Sequence, residues 1–175
     1  MVKILRVDPH LIEAQTIQEW CELLSIDNIL IMNSEIVKDE MLSMKQKLAV
    51  PHGIRVAIKD LSGAIELLFD PVCEALNLLV VVKTTNDALL LLEQFPDIPN
   101  VTIGGYCMDI PPDETIHLCS SLLVTKRELA DLKKILSINP NSIYQITPWQ
   151  SPVLLKHLIT QHDVDCQTEA ISINH

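Results

Sequence analysis

The sequence predicts an α/β protein: a doubly wound, mostly parallel β-sheet flanked by helices. Short, β-branched-rich apolar runs alternate with stretches of helical period from end to end. The runs are apolar on both faces, as strands covered on both sides are. Their strand, helix, strand order calls for right-handed crossovers between parallel neighbours.

Val2 to Val7 is the first strand. After it, Ile17, Trp20, Cys21 and Leu24 recur at i, i+3, i+4 and i+7, the period of a helix with one buried stripe. Ile29 to Met32 reads as a second strand, and Val37, Met41, Met44 and Leu48 mark a second helix with an apolar stripe of its own. Ile54 to Ile58 is a third strand, followed by a helix at Leu61, Ile65 and Leu68. Leu76 to Val82 is the fourth strand, with Ala88, Leu91, Leu92 and Phe95 on the helix behind it. Val101 to Ile103 is the fifth. Leu129, Leu132, Ile135 and Leu136 describe a helix between Thr125 and Asn139, opened by the capping box Thr125-Lys126-Arg127-Glu128. Ser142 to Ile146 is the last strand expected. Beyond Ser151 the pattern predicts no strand, only a short helix over Val153 to Ile159 and a polar tail, Asp163 to His175, that frays. The chain therefore divides into one domain over 1–150 and a C-terminal extension over 151–175, with no internal repeat.

Thirteen basic residues against twenty-three acidic ones give a formal net charge of −10. Nucleic-acid binding is driven by clustered Lys and Arg, so DNA and RNA are discounted as partners. The longest apolar run, Leu76 to Val82, is broken at Asn77 and falls far short of the roughly twenty residues a membrane span needs. Asp8-Pro9 follows the first strand too soon for a signal-peptide core, and a cytoplasmic protein is expected. Five cysteines, widely spaced and without a C-x-x-C pair, predict reduced thiols packed as small hydrophobes rather than disulfides or zinc. His157 and His162 complete no metal set, and His52 between Pro51 and Gly53 reads as a turn residue. No cofactor is expected: G-x-G-x-x-G, Walker and G-x-S-x-G patterns are all lacking.

In doubly wound sheets ligands bind beyond the carboxyl ends of the strands, where loops enter helix N-termini. Asp8 to Glu13, Asn33-Ser34 and Gly104-Gly105 occupy such places. The glycine pair predicts a backbone passing closely over the rim of the site. Up to about Trp149, one ordered set of residues stands out: Asp8, Leu11-Ile12, Gln15 and Trp20; Asn33 with Val37-Lys38-Asp39-Glu40; Pro51 and Gly53; Ala64-Ile65 and Leu67; Lys83 with Asn86-Asp87-Ala88; Gly104-Gly105; and Val124-Thr125. In this order and spacing the chain resembles the IIB subunit of the mannose/fructose/sorbose class of the bacterial phosphoenolpyruvate-dependent sugar phosphotransferase system.

The resemblance implies a function and a site. In that family the first loop reads Asp-x-Arg-Leu-Ile-His-Gly-Gln. Its histidine takes a phosphoryl group from a phosphohistidine on a IIA partner and passes it to a sugar arriving through the membrane components IIC and IID. Imidazole suits the task, being a neutral nucleophile whose phosphoramidate readily gives the group away. Free amides at a helix N-terminus and a bidentate arginine suit the phosphate. Carried onto this chain, the family's arginine falls on His10, its acceptor histidine on Glu13 and its glycine on Ala14, while Asp8, Leu11, Ile12 and Gln15 are kept. After Gly104-Gly105, where the family often continues Met-His, stands Tyr106-Cys107.

A carboxylate in the first turn of a helix is favoured by the dipole by about 0.3–1 kcal/mol, and it repels an incoming phosphoryl dianion. Glu13 is therefore expected to be non-catalytic, either imitating a phosphohistidine or left by drift once catalysis ceased to matter. His10, in the same loop, is the rival acceptor and would make the chain an active phosphoryl carrier. The resemblance implies as partners a IIA-type protein or domain and the membrane components IIC and IID, and apolar helix faces leave room for a homo-oligomer. A scaffold role without phosphotransferase partners is the remaining alternative.

Overall fold

The computed structural model describes residues 1–105, 111 and 113–173. In chain order the elements are β1 (Val2–Val7), α1 (Ala14–Leu24), β2 (Asn28–Met32), α2 (Ser34–Lys38), α3 (Glu40–Ala49), β3 (Arg55–Lys59), α4 (Leu61–Phe69), β4 (Leu78–Val82), α5 (Thr85–Gln94) and β5 (Val101–Ile103). A hairpin of β6 (Ile116–Cys119) and β7 (Leu122–Val124) follows, then α6 (Lys126–Ile138), β8 (Ile143–Tyr144), β9 (Val153–Leu154) and α7 (Leu155–Ile173). A 3-10 turn, Pro71–Ala75, joins α4 to β4.

The main sheet has the order β3-β2-β4-β1-β5-β8-β9. Every pairing in it is parallel except β8 with β9. Strands β2 and β4 are buried at all five positions, as their unbroken apolarity requires. Alternate side chains feed two cores. On one face Ile4, Ile29, Ile31, Leu79 and Val81 meet Ile17, Trp20 and Cys21 of α1. On the other, Leu5, Val7, Leu30, Val80 and Val82 meet α4, α5 and α6 through Ala64, Leu91, Leu92 and Leu132. The doubly wound expectation holds, and each of the six expected strands is present within two residues of its expected bounds.

Three local expectations need correction. The stripe Val37, Met41, Met44 and Leu48 does not belong to one buried helix. Asp39 ends α2 and caps α3, accepting from Leu42 N at 3.0 Å, and Met41, Met44 and Leu48 are exposed. Beyond Ser151 there is a strand after all: β9 pairs antiparallel with β8 and finishes the sheet edge. The tail is helical through Ile173 rather than frayed from Asp163, because Leu155 and Ile159 bury against the second core and Lys133 pairs with Asp163 at 2.9 Å. The capping box stands as read: Glu128 N donates to Thr125 Oγ1 at 3.2 Å and Thr125 N to Glu128 Oε2 at 2.7 Å.

Candidate functional site

Asp8 leaves the carboxyl end of β1 between β4 and β5. Connections there diverge to opposite sides of β1, the place where doubly wound sheets open a crevice. Asp8 N donates to Val82 O at 2.9 Å, tying the start of the loop to β4. The Asp8 side chain then organises the turn: Oδ1 accepts from His10 N at 3.0 Å, while its carbonyl accepts from Leu11 N at 2.9 Å. Leu11 takes a left-handed conformation, φ 59°, a strained choice for a branched side chain. Burial of Leu11 and Ile12 holds it there, and Ile12 N donates to Gln46 Oε1 of α3 at 3.0 Å. His10 and Glu13 are the exposed side chains of this stretch.

The residue that fixes the loop is one the sequence pattern hid. Arg6, next to the carboxyl end of β1, is 1% exposed. Its Nη2 donates to Asp8 Oδ2 and to Ile146 O, both at 2.8 Å, and its Nη1 donates to Gln145 O at 3.0 Å. The guanidinium lies 5.3 Å from the centroid of the Trp20 ring on α1, within cation–π range. Burial pulls the Arg6 pKa down, and the charge and hydrogen bond of Asp8, then the charge of Glu13, oppose that pull. One buried cation thus joins the first loop to the end of β8. Gly104 completes the packing: a Cβ there would stand 2.6 Å from Arg6 Nη2 and 3.0 Å from Asp8 Oδ2, so the close approach expected of the glycine pair holds at Gly104, whereas a Cβ at Gly105 would meet only ordinary contact with Ile146 at 3.7 Å. Tyr106 and Cys107 lie outside the described residues.

Glu13 is not in the first turn of α1, as expected, but at its N-cap, with φ −110° and ψ 118°. Its carboxylate makes no capping hydrogen bond, and the first turn carries no acid. The leading amides of α1 therefore lack a side-chain cap and lie beside an uncommitted carboxylate. Asn33, after β2, is spent on structure: its Oδ1 accepts from Glu35 N at 3.1 Å and Ile36 N at 2.9 Å, capping α2.

The other candidates resolve simply. Cys21 and Cys73 are buried as expected, and burial pushes the Cys21 thiol up to about 11. Cys166 departs from the expectation, being exposed on α7 with Sγ 3.6 Å from His162 Nε2. Among the described residues no group of three or more His, Cys, Asp or Glu is placed to hold a metal. His52 stands in a turn completed by Gly53 at φ +90°. No helix among the described residues is long and apolar enough to cross a membrane.

The profile of the family described as "PTS system sorbose subfamily IIB component" matches residues 2–165. The chain belongs to the sorbose IIB family of the phosphotransferase system. A relative of this IIB component is a probable phosphotransferase enzyme IIB component of Streptococcus pyogenes serotype M6, 27% identical over 162 residues that span 91% of this chain and 99% of the relative. The sorbose-specific EIIB component of Klebsiella pneumoniae is 24% identical over 59% of this chain and 63% of its own. The fold agrees more widely than the sequence. The crystal structure of the Klebsiella pneumoniae IIBSor domain superposes with a TM-score of 0.83 at 19% identity, covering 92% of this IIB component and 97% of the domain. The manxB structure from Thermoanaerobacter tengcongensis gives 0.81 at 18% identity, covering 91% and 95%.

Proposed function

We propose that this IIB component docks a IIA-type phosphotransferase partner through its first loop without carrying the phosphoryl group itself, acting as a binding or regulatory module. The observation that carries the reading is the exposed Glu13 carboxylate at the N-cap of α1. By the resemblance, this is the position of the acceptor histidine. The scaffold around it is intact: Arg6 holds Asp8, and Asp8 holds the turn. A charge already seated at the helix N-terminus occupies the favourable field that an incoming phosphoryl dianion would use and repels that dianion. Recruitment to the membrane components IIC and IID belongs to the same reading.

The test is to incubate the purified chain with phosphoenolpyruvate, the general phosphotransfer proteins and a IIA domain, and to weigh the intact protein. No uptake is expected while the IIA domain becomes labelled and binds. Acid-labile uptake abolished by His10→Ala would show instead a carrier acting through His10, which the loop leaves exposed.

Stability tests whether Glu13 drifted in as a good helix start. Glutamate is a poor N-cap, whereas serine there accepts from the leading amides. Glu13→Ser is expected to stabilise the fold by about 0.5–1 kcal/mol in urea titrations. A gain of that size removes the argument that Glu13 was kept as a good helix start. A loss would restore it.

A further inference from the structure

A cleft of about 430 Å³ opens at the amino ends of β1 and β5, the far end of these strands from the first loop. Buried Ile98 and half-buried Leu68 line its apolar floor, and the rings of Phe69 and Phe95 pair in its wall with centroids 4.8 Å apart. Phe69 is 65% exposed, so much of its ring is open to a ligand. Glu74 and Asp97 stand exposed at the rim, and neither carboxylate is paired with a cation among the described residues. Two helices end here, α4 at Phe69 and α5 at Gln94, and neither carries a basic residue in its last turn. The negative ends of both dipoles therefore meet the cleft without a compensating side chain. The same pole already holds one cation: the Met1 α-ammonium donates to the main-chain O of Cys73 and of Leu76 and, at 2.8 Å, to that of Glu74. That contact uses backbone carbonyls and leaves both rim carboxylates unengaged.

We propose that this cleft binds a small organic cation, an ammonium group carried on a compact apolar or aromatic body. The body covers Ile98 and Leu68 and leaves water, while the ammonium faces the open Phe69 ring and the carboxylates of Glu74 and Asp97. An aromatic face attracts a cation through its quadrupole, and helix C-termini favour positive charge. The volume is that of small-molecule sites, roughly 300–1,000 Å³. No lysine or arginine lines the cleft among the described residues, so an anion of the same shape meets only carboxylates and negative dipole ends beyond the Met1 contact. Discrimination by the sign of the ligand's charge is therefore the signature of the site. The inference is independent of the proposed docking function, which uses the opposite ends of the strands.

The experiment titrates phenethylammonium into the full chain and follows its amides by two-dimensional NMR, with hydrocinnamate as an anionic counterpart of similar shape. Phenethylammonium is expected to shift the amides around Phe69, Cys73 and Ile98 saturably, and hydrocinnamate to leave them in place. Glu74→Gln with Asp97→Asn is expected to weaken the ammonium by about five- to tenfold. Phe69→Leu, which keeps apolar bulk and removes the ring, is expected to weaken it by about two- to fivefold. All three side chains are exposed, and the rest of each spectrum checks that the variant is folded. Equal binding of the two titrants, or ammonium binding unaltered in the carboxylate variant, would mean an apolar cleft without charge selection and overturns the proposal. Absence of saturable shifts at these amides overturns it as well. Shifts confined to the first loop would place the ammonium beside Glu13 instead and overturn the assignment to this cleft.

Discussion

The double variant His10→Arg with Glu13→His is expected to take up one phosphoryl group per chain from a phosphorylated IIA domain, and the native protein none. Both positions are exposed, so the fold tolerates the change. The parts a phosphohistidine loop needs are otherwise present. The turn is set by Asp8, the leading amides of α1 are free of side-chain caps, and Arg6 fixes the geometry from beneath. Glu13→His alone is expected to be slower by about a hundredfold, because one donor to the transferred group is still lacking. His10→Arg alone is expected to stay unlabelled. Intact-protein mass spectrometry before and after brief acid treatment reads all three. A folded double variant that remains unlabelled beside a labelled IIA domain would sink the view that chemistry was lost only at these two side chains.

Arg6→Met is expected to be the most destabilising single change in the site, by about 3–5 kcal/mol. It strips the Asp8 carboxylate of its cation and leaves Gln145 O and Ile146 O without the donors they now accept from. Removing one partner of a buried ionic cluster costs far more than the cluster's own net worth, because the others stay desolvated. A domain of this kind has only about 5–15 kcal/mol in all. Asp8→Asn, which keeps an acceptor in place, is expected to cost about 1–2 kcal/mol. Urea midpoints measured at constant slope decide the matter. A loss below about 1 kcal/mol for Arg6→Met would mean that water reaches the carbonyls and that Arg6 is no keystone.

The strand ladder was legible because it rests on local composition. Continuous runs such as Leu78 to Val82 have nowhere to lie but between two layers. The first loop was legible for a different reason: Asp8-Pro9 ends a strand, and the stripe from Ile17 begins a helix soon after. What stayed hidden depends on distant partners. Arg6 looks like an ordinary charge in a strand until β8 brings the carbonyls of Gln145 and Ile146, some 139 and 140 residues away, over its guanidinium. The β6–β7 hairpin was missed because its strands are four and three residues long and bury one face poorly. The break at Asp39 had a local signal, an aspartate ahead of a helical stretch, but the apolar period ran across it and won. The period was real. Its inference of burial was not, and that error exposed the Met41, Met44 and Leu48 stripe as a surface without a partner in its own chain.

The left-handed Leu11 has a kinetic meaning. A residue at φ 59° with a buried side chain, fixed between Asp8 O and the Gln46-bound amide of Ile12, is held by contacts that another conformer would have to give up. The ordering entropy of the loop is lost during folding, so an arriving domain meets a template already cast. On the proposed docking, encounter is expected to be governed by orientation and charge rather than by loop closure, in the ordinary range of about 10⁵–10⁷ M⁻¹s⁻¹, with side-chain changes at His10 or Glu13 acting on how long the complex lasts more than on how fast it forms.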